Sequence, residues 1–177
     1  LLNKLEISNK LISLNDYNTK SKLSFVISEL SKGKSLALVS EAGTPLISDP
    51  GEKLVKELRY KNFDVISIPG PCAPISALVS SGFPCSKFSF YGFIPKFSKE
   101  RKSTLYSINK NKFPSIVFES PHRVIKLLLD LKNICGDERK IIVSRELTKK
   151  FEQHIGNNII QVLNFFEKTP PKGEFTI

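Results

Sequence analysis

The chain has 177 residues, 40% of them hydrophobic, enough for one large domain or two small ones with real cores. It holds no run of eighteen apolar residues, which argues against a transmembrane helix, and residues 1–20 lack the continuous apolar core of a signal peptide. A net charge of +10 points to a polyanionic partner, although 22 lysines against 5 arginines is also what an AT-rich coding bias would produce.

In chain order, the pattern predicts a strand over 11–14. A helix over 20–32 follows, with Leu23, Val26, Ile27 and Leu30 on one face and Gly33 as its stop. The apolar run Leu36-Ala37-Leu38-Val39 predicts a buried strand, followed by the Gly/Pro-rich stretch from Ser40 to Gly51 and a helix over 52–61. The layout then repeats: a strand over 65–68, a loop from Pro69 to Pro74, and a helix over 74–81. Such alternation predicts a largely parallel sheet covered by helices on both faces. Two Gly/Pro-rich loops would then leave the C-terminal ends of consecutive strands, the edge where open α/β sheets bind ligands. Gly43 and Gly70 let backbone approach a ligand, and the prolines fix loop shape in advance. Each loop alone also reads as a plain tight turn.

Gly82-Phe83-Pro84 breaks the alternation and divides the chain into one domain over 1–84 and another over 88–177. The second half predicts a strand over 88–92, a helix over 99–109 and a strand over 115–118. Next come a helix over 121–132, a strand over 140–144, a helix over 158–167 and a last strand from Glu174. Ser120 is the expected cap of the helix over 121–132 and Pro121 its first residue, where a missing N–H costs nothing. With no Met anywhere and Leu1 at its start, the chain reads as an internal piece of a longer protein.

Several common chemistries are poor fits. Gly33-Lys34-Ser35 looks like the end of a P-loop, but Ser28 stands where its first glycine belongs, and the triplet precedes a strand. Neither a Gly-x-Gly-x-x-Gly fingerprint nor a Gly-x-Ser-x-Gly elbow is present. Three widely spaced cysteines and two histidines without zinc spacing argue against a disulfide framework or a metal site, and fit a reduced, cytoplasmic setting. S-adenosylmethionine (SAM) suits the two loops better. Its adenosine wants backbone hydrogen bonds, and it carries no polyphosphate that needs a basic cradle.

Seven short motifs fall in order along the chain. They are Ser40 to Pro45, Pro69 to Ala73, Gly82-Phe83-Pro84, Tyr91 to Pro95, Phe118 to Arg123, Ser144 to Lys149, and Lys172-Gly173-Glu174. Together they resemble the ribosomal RNA small subunit methyltransferase I family, a branch of the tetrapyrrole methylase superfamily. Glu41 departs from the pattern, since the family usually has Asp there. The resemblance implies a two-domain α/β fold, the tetrapyrrole methylase-like (class III SAM methyltransferase) fold, with a glycine-rich segment that would precede Leu1. It implies SAM folded between the domains against Gly43, Thr44, Pro45, Ile47, Cys72, Ala73, Phe118 and Gly173. Phe118 reads equally well as core.

The implied reaction is methylation of a ribose 2′-hydroxyl, at a cytidine in the decoding region of small-subunit rRNA, by a homodimer. A general base would assist removal of the hydroxyl proton. Glu119 and His122 are the most suggestive candidates, with Glu41 and Glu146 also open. Arg101, Arg123 and Arg145 are the expected RNA contacts, their planar forks suiting phosphate; an internal pair with Glu119 or Glu146 is the competing reading. Phe93 and Phe97 stand among basic residues where a base could stack. The alternatives are a tetrapyrrole methylase acting on a small macrocycle, and a non-catalytic module bound to RNA or the ribosome.

Overall fold

The computed structural model describes residues 2–97 and 99–177. They form two compact units, Leu1–Cys72 and Ala73–Ile177. Among the described residues, no helix is long and apolar enough to cross a membrane.

The first unit holds a 3-10 turn, Leu2–Leu5, and two helices that pack together, α1 (Thr19–Ser31) and α2 (Glu52–Tyr60). A turn built by two asparagines leads into α1. Asn15 Oδ1 accepts from the Asn18 amide at 2.9 Å, and Asn18 Oδ1 accepts from the Asn15 amide at 2.8 Å. Thr19 is buried and donates its hydroxyl to the Asn15 carbonyl. In α2, Leu54 and Leu58 share one side of the helix, four residues apart, and are buried.

The strands expected over 11–14, 36–39 and 65–68 are not formed: none of these segments pairs in a ladder among the described residues. Most of their apolar side chains are exposed, Leu11 by 71%, Val39 by 56% and Ile68 by 80%, while Leu14 and Val65 are half-buried. An apolar run records a demand for cover, whereas a strand also needs a hydrogen-bonding neighbour, which a local sequence pattern does not reveal.

The second unit starts with α3 (Ala73–Ser80) and continues β1 (Ser89–Phe93), α4 (Lys99–Lys110), β2 (Ser115–Glu119) and α5 (Val124–Cys135). It ends with β3 (Val143–Arg145), β4 (Gln153–Ile155), α6 (Ile159–Lys168) and β5 (Phe175–Thr176). The strands make one sheet in the order β1-β2-β5-β3-β4. Only β1 and β2 run parallel; β2 with β5, β5 with β3, and β3 with β4 are antiparallel. The sheet of the second unit is therefore mixed, while the parallel pairing expected of the first half is not formed among the described residues. The physical origin of the mixture is β5, which enters between β2 and β3 against both, and β4, which doubles back from β3.

The core lies where α4, α5 and α6 meet the sheet. Val124, Leu127, Leu128, Val143, Ile159 and Val162 are fully buried there. Each such side chain contributes about 1.5–3 kcal/mol. In β2, Ile116 and the adjacent Val117 are both buried. Successive strand residues point to opposite faces, so this strand is covered on both. The helix α3 packs on β2 and β5 with Ala77 and Leu78 buried. It thus belongs to the second compact unit, although the boundary expected at 84–88 would place it in the first half.

Helix α5 begins at Val124, later than the Ser120 cap and Pro121 start predicted for it. The amides of Arg123 and Val124 both donate to the Ser120 carbonyl at 3.0 Å, which makes residues 121–123 a separate turn. The Asn158 side chain does cap α6, accepting from the Gln161 amide at 3.0 Å.

Candidate functional site

Within the first unit, the two loops singled out from the sequence come together. The Thr44 hydroxyl donates to the Pro71 carbonyl at 2.8 Å, joining loops 27 residues apart. Gly43 has φ +74°, and a Cβ built on it would lie 3.5 Å from the same carbonyl. The left-handed backbone, more than lack of space, is what demands glycine here. The Ser40 hydroxyl donates to the Gly43 carbonyl at 2.7 Å. Leu46 and Ser48 also adopt positive φ, 73° and 61°. A side-chain-bearing residue there costs roughly 1–3 kcal/mol, a strain that clusters at ligand sites. Pro45 is half-buried, Ile47 is exposed, and Cys72 is half-buried at the end of the second loop.

In the second unit, β2 ends on Glu119, whose side chain is wholly buried. One oxygen accepts from the Ser120 amide at 2.8 Å. The other, Oε2, lies 3.1 Å from Arg123 Nη2 but takes no hydrogen bond among the described residues. That Arg123 nitrogen donates instead to the Ile94 carbonyl. A second arginine grips the next carbonyl: Arg101 Nη1 donates to Pro95 O at 3.0 Å. The buried Arg101 also gives Nε and Nη2 to Asp130 Oδ2, at 3.0 and 2.6 Å. Two arginines, each with its own carboxylate, thus clamp the chain where it leaves β1.

No local pattern signals the Arg101–Asp130 pair, whose members lie 29 residues apart on different helices. The Glu119–Arg123 pair was one of the readings left open, and its spacing of four residues is the signal. Arg101, expected to bind RNA, is instead committed inward, because burying it without a carboxylate would be costly. Arg123, paired with Glu119, keeps 23% of its side chain exposed. His122, on the turn between them, is exposed.

The motifs at 144–149 and 172–174 also converge. The Glu146 amide donates to the Glu174 carbonyl at 3.0 Å, and the Glu174 amide donates to Glu146 Oε1 at 2.9 Å. Lys149 bridges both carboxylates at 3.0 Å. The Glu174 amide, then the Lys149 ammonium, hold the Glu146 carboxyl below its ordinary value, so it is a poor proton acceptor. Gly173, at φ +90°, closes against this side chain: an added Cβ would lie 2.5 Å from Glu146 Cδ. Arg145 completes the clasp, donating Nε to the Lys172 carbonyl at 2.7 Å and Nη1 to Gln153 Oε1 at 3.0 Å.

Behind the clasp runs a chain of contacts that the sequence did not reveal, because β4 was not predicted. The buried Ser144 Oγ lies 3.0 Å from His154 Nδ1, and His154 Nε2 lies 3.3 Å from Glu152 Oε1. The strand pairing sets Ser144 directly opposite His154. Since Ser144 is 1% exposed, this trio braces the β3–β4 pair and offers no nucleophile to a substrate.

Phe118 packs with Phe90 at 5.1 Å and Phe93 at 5.5 Å between ring centroids. It is half-buried and Phe93 is 53% exposed, so the aromatic face is only partly covered. An apolar cavity of about 280 Å³ opens at the other end of β2, beside Leu78, Phe83, Ile116 and Ile177, and none of the expected site residues lines it.

All five arginines donate to main-chain carbonyls, those of Val65, Pro95, Ile94, Ile108 and Lys172. Arg101 is buried, Arg123, Arg139 and Arg145 are half-buried, and Arg59 is exposed.

Residues 9–162 match the family described as tetrapyrrole (corrin/porphyrin) methylases. A ribosomal RNA small subunit methyltransferase I of Vibrio cholerae is 42% identical over 179 residues, covering all of this chain and 62% of that protein. The protein of the same name from Thermotoga maritima is 41% identical over 177 residues, covering all of this chain and 79% of its own length. Among solved structures, the methyltransferase CobJ superposes with a TM-score of 0.68 at 14% identity, over 97% of this chain and 77% of its own. The cobalt precorrin-4 methyltransferase CbiF gives 0.61 at 14% identity, over 89% of this chain and 69% of its own. The chain belongs to the tetrapyrrole methylase family, in its ribosomal RNA small subunit methyltransferase I branch. It spans about three fifths of the length of the Vibrio relative.

Proposed function

We propose that the full-length protein transfers a methyl group from SAM to small-subunit rRNA, at the ribose 2′-hydroxyl of a cytidine in the decoding region. One observation carries this reading: the relatives described above match all of this chain, and both bear the name of a small-subunit rRNA methyltransferase. The likeness to CobJ and CbiF, at 14% identity, speaks for the fold alone.

The first unit's loops suit SAM in their chemistry. Gly43 leaves backbone uncovered, Thr44 joins the two loops, and no lysine or arginine lies between Ser40 and Gly51 to attract a polyphosphate. Gly43, Thr44, Pro45, Ile47 and Cys72 would hold the cofactor there. Ala73, Phe118 and Gly173 are the proposed contacts from the second unit. When bound, SAM supplies an electrophilic methyl group on a sulfonium.

The chain's own residues have to align the ribose and take up its proton, because an in-line displacement gains most from positioning. His122 is the proposed base, being the exposed member of the expected pair. Glu119 positions Arg123, and through it the end of β1. A homodimer and a cytoplasmic setting complete the reading. Transfer of label from SAM to assembled small subunits, followed by digestion to nucleosides, tests it. Labelled 2′-O-methylcytidine is the expected product, and label confined to a base or absent from rRNA would overturn it.

A further inference from the structure

We propose that the outward face of α4, with the residues leading into it, is the surface that grips single-stranded RNA, and that lysine and aromatic side chains do the gripping. This rests on rRNA being the partner. Lys99, Lys102, Tyr106 and Lys110 recur at i, i+3, i+7 and i+11, which puts them on one side of the helix. All four are exposed, and Tyr106 is 54% so. Arg101, Leu105 and Ile108 occupy the opposite side and are buried. Just before the helix, Lys96 and Phe97 are exposed as well, Phe97 by 79%. No ion pair to an acidic side chain engages Lys96, Lys99, Lys102 or Lys110 among the described residues, and Glu100 is the one acid in the stripe's sequence.

The composition of the stripe selects the partner. Cations interleaved with aromatic rings match a strand whose phosphates alternate with bases that can stack. A membrane surface would require the apolar side of the helix to face outward, and that side is in the core. The stripe is about 16 Å long from Lys99 to Lys110, and its foundation is firm. Arg101 and Arg123 hold the carbonyls of Pro95 and Ile94, the two residues directly before Lys96. The loop tip therefore presents Lys96 and Phe97 from a fixed base, which lowers the ordering cost of binding. Lysine, as a point charge, supplies attraction with little sequence reading.

The experiment compares full-length wild-type protein with Lys99→Gln/Lys102→Gln/Lys110→Gln, Tyr106→Ala and Phe97→Ala. The probes are a labelled single-stranded oligoribonucleotide over a salt series and, separately, phosphatidylserine vesicles. Neutralising three phosphate contacts should reduce the slope of log affinity against log salt by about 2. Each aromatic truncation should weaken RNA binding roughly ten-fold, while Tyr106→Phe and the triple Lys→Arg variant stay near wild type. Thermal melting should be unchanged for all of them, since every altered side chain is exposed. An unchanged salt slope in the glutamine variant, or loss of vesicle binding in place of RNA binding, would overturn the proposal. RNA binding is read apart from methyl transfer. Stripe-dependent binding without transfer would sink the methyltransferase reading alone, whereas full transfer by the glutamine variant would sink this one alone.

Discussion

The two units solve the problem of shape by different means. In the second, strands far apart in sequence share one sheet, and a continuous core fixes it: β5 joins β2 and β3, and Val143, Leu128 and Ile159 are fully buried. In the first, two helices pack, but the loops at 40–51 and 69–72 are shaped by one hydroxyl-to-carbonyl bond between them, a serine turn and positive φ at Gly43, Leu46 and Ser48. Its apolar segments at 36–39 and 65–68 lie against solvent. The comparison teaches that a loop can take a defined form from a few polar contacts and left-handed residues, where the sheet takes its form from a continuous core.

A stability effect as large as that of a core truncation is expected at the clamp. Arg101→Ala removes the buried partner of Asp130, leaving it Lys126 at 3.5 Å, and should cost about 3 kcal/mol in urea unfolding, whereas Arg101→Met with Asp130→Leu should recover much of it. A double variant as unstable as the single one would show that packing of the arginine stem, and not the pair, is what matters. Next comes the core. Leu128→Ala should lose about 2–5 kcal/mol, while Ile66→Ala, at an 80% exposed position, should stay within about 0.5 kcal/mol. Comparable losses at both would break the contrast between the units, because Ile66 would then have to be covered in the native protein.

A smaller effect belongs to the clasp. Gly173→Ala meets both a left-handed φ and the Glu146 side chain, and should cost roughly 1–3 kcal/mol. It should also alter the acid limb of stability. A carboxyl with a lowered folded pKa stabilises fully above its ordinary value of 4.5, and that stability is lost as pH falls through the lowered value. Pushing Glu146 off the Glu174 amide should flatten the fall in stability below about pH 4.5. An acid limb as steep as wild type would mean that Glu146 keeps its partners.

Much of this was legible in the sequence for a reason that the misses make plain. Helices such as α2 and α4 record their buried side in a local period, so Leu54 with Leu58, or Leu105 with Ile108, betray them. The strand β4, Gln153-His154-Ile155, is short and polar and has no such period; only its pairing opposite β3 defines it. The direction of β5 between β2 and β3 is likewise a property of the assembled sheet. Of the site, the loop residues and the Glu119–Arg123 spacing could be read, because both are local. The inward turn of Arg101 depended on Asp130 from another helix, and the grip of Arg145 on the Lys172 carbonyl depended on two motifs meeting. That Arg101 is buried, unlike the lysines around it, was not visible in a sequence where both residue types count only as charge.

Calorimetric titration of SAM into folded Gly43→Val and into the Lys99→Gln/Lys102→Gln/Lys110→Gln variant tests the division of labour most directly. A β-branched side chain at a left-handed position should distort the loop that meets Pro71 and abolish SAM binding, whereas the lysine variant should bind SAM as wild type does. Unchanged affinity in the valine variant, or lost affinity in the lysine variant, would contradict the assignment of cofactor to the loops of the first unit and RNA to the surface of the second.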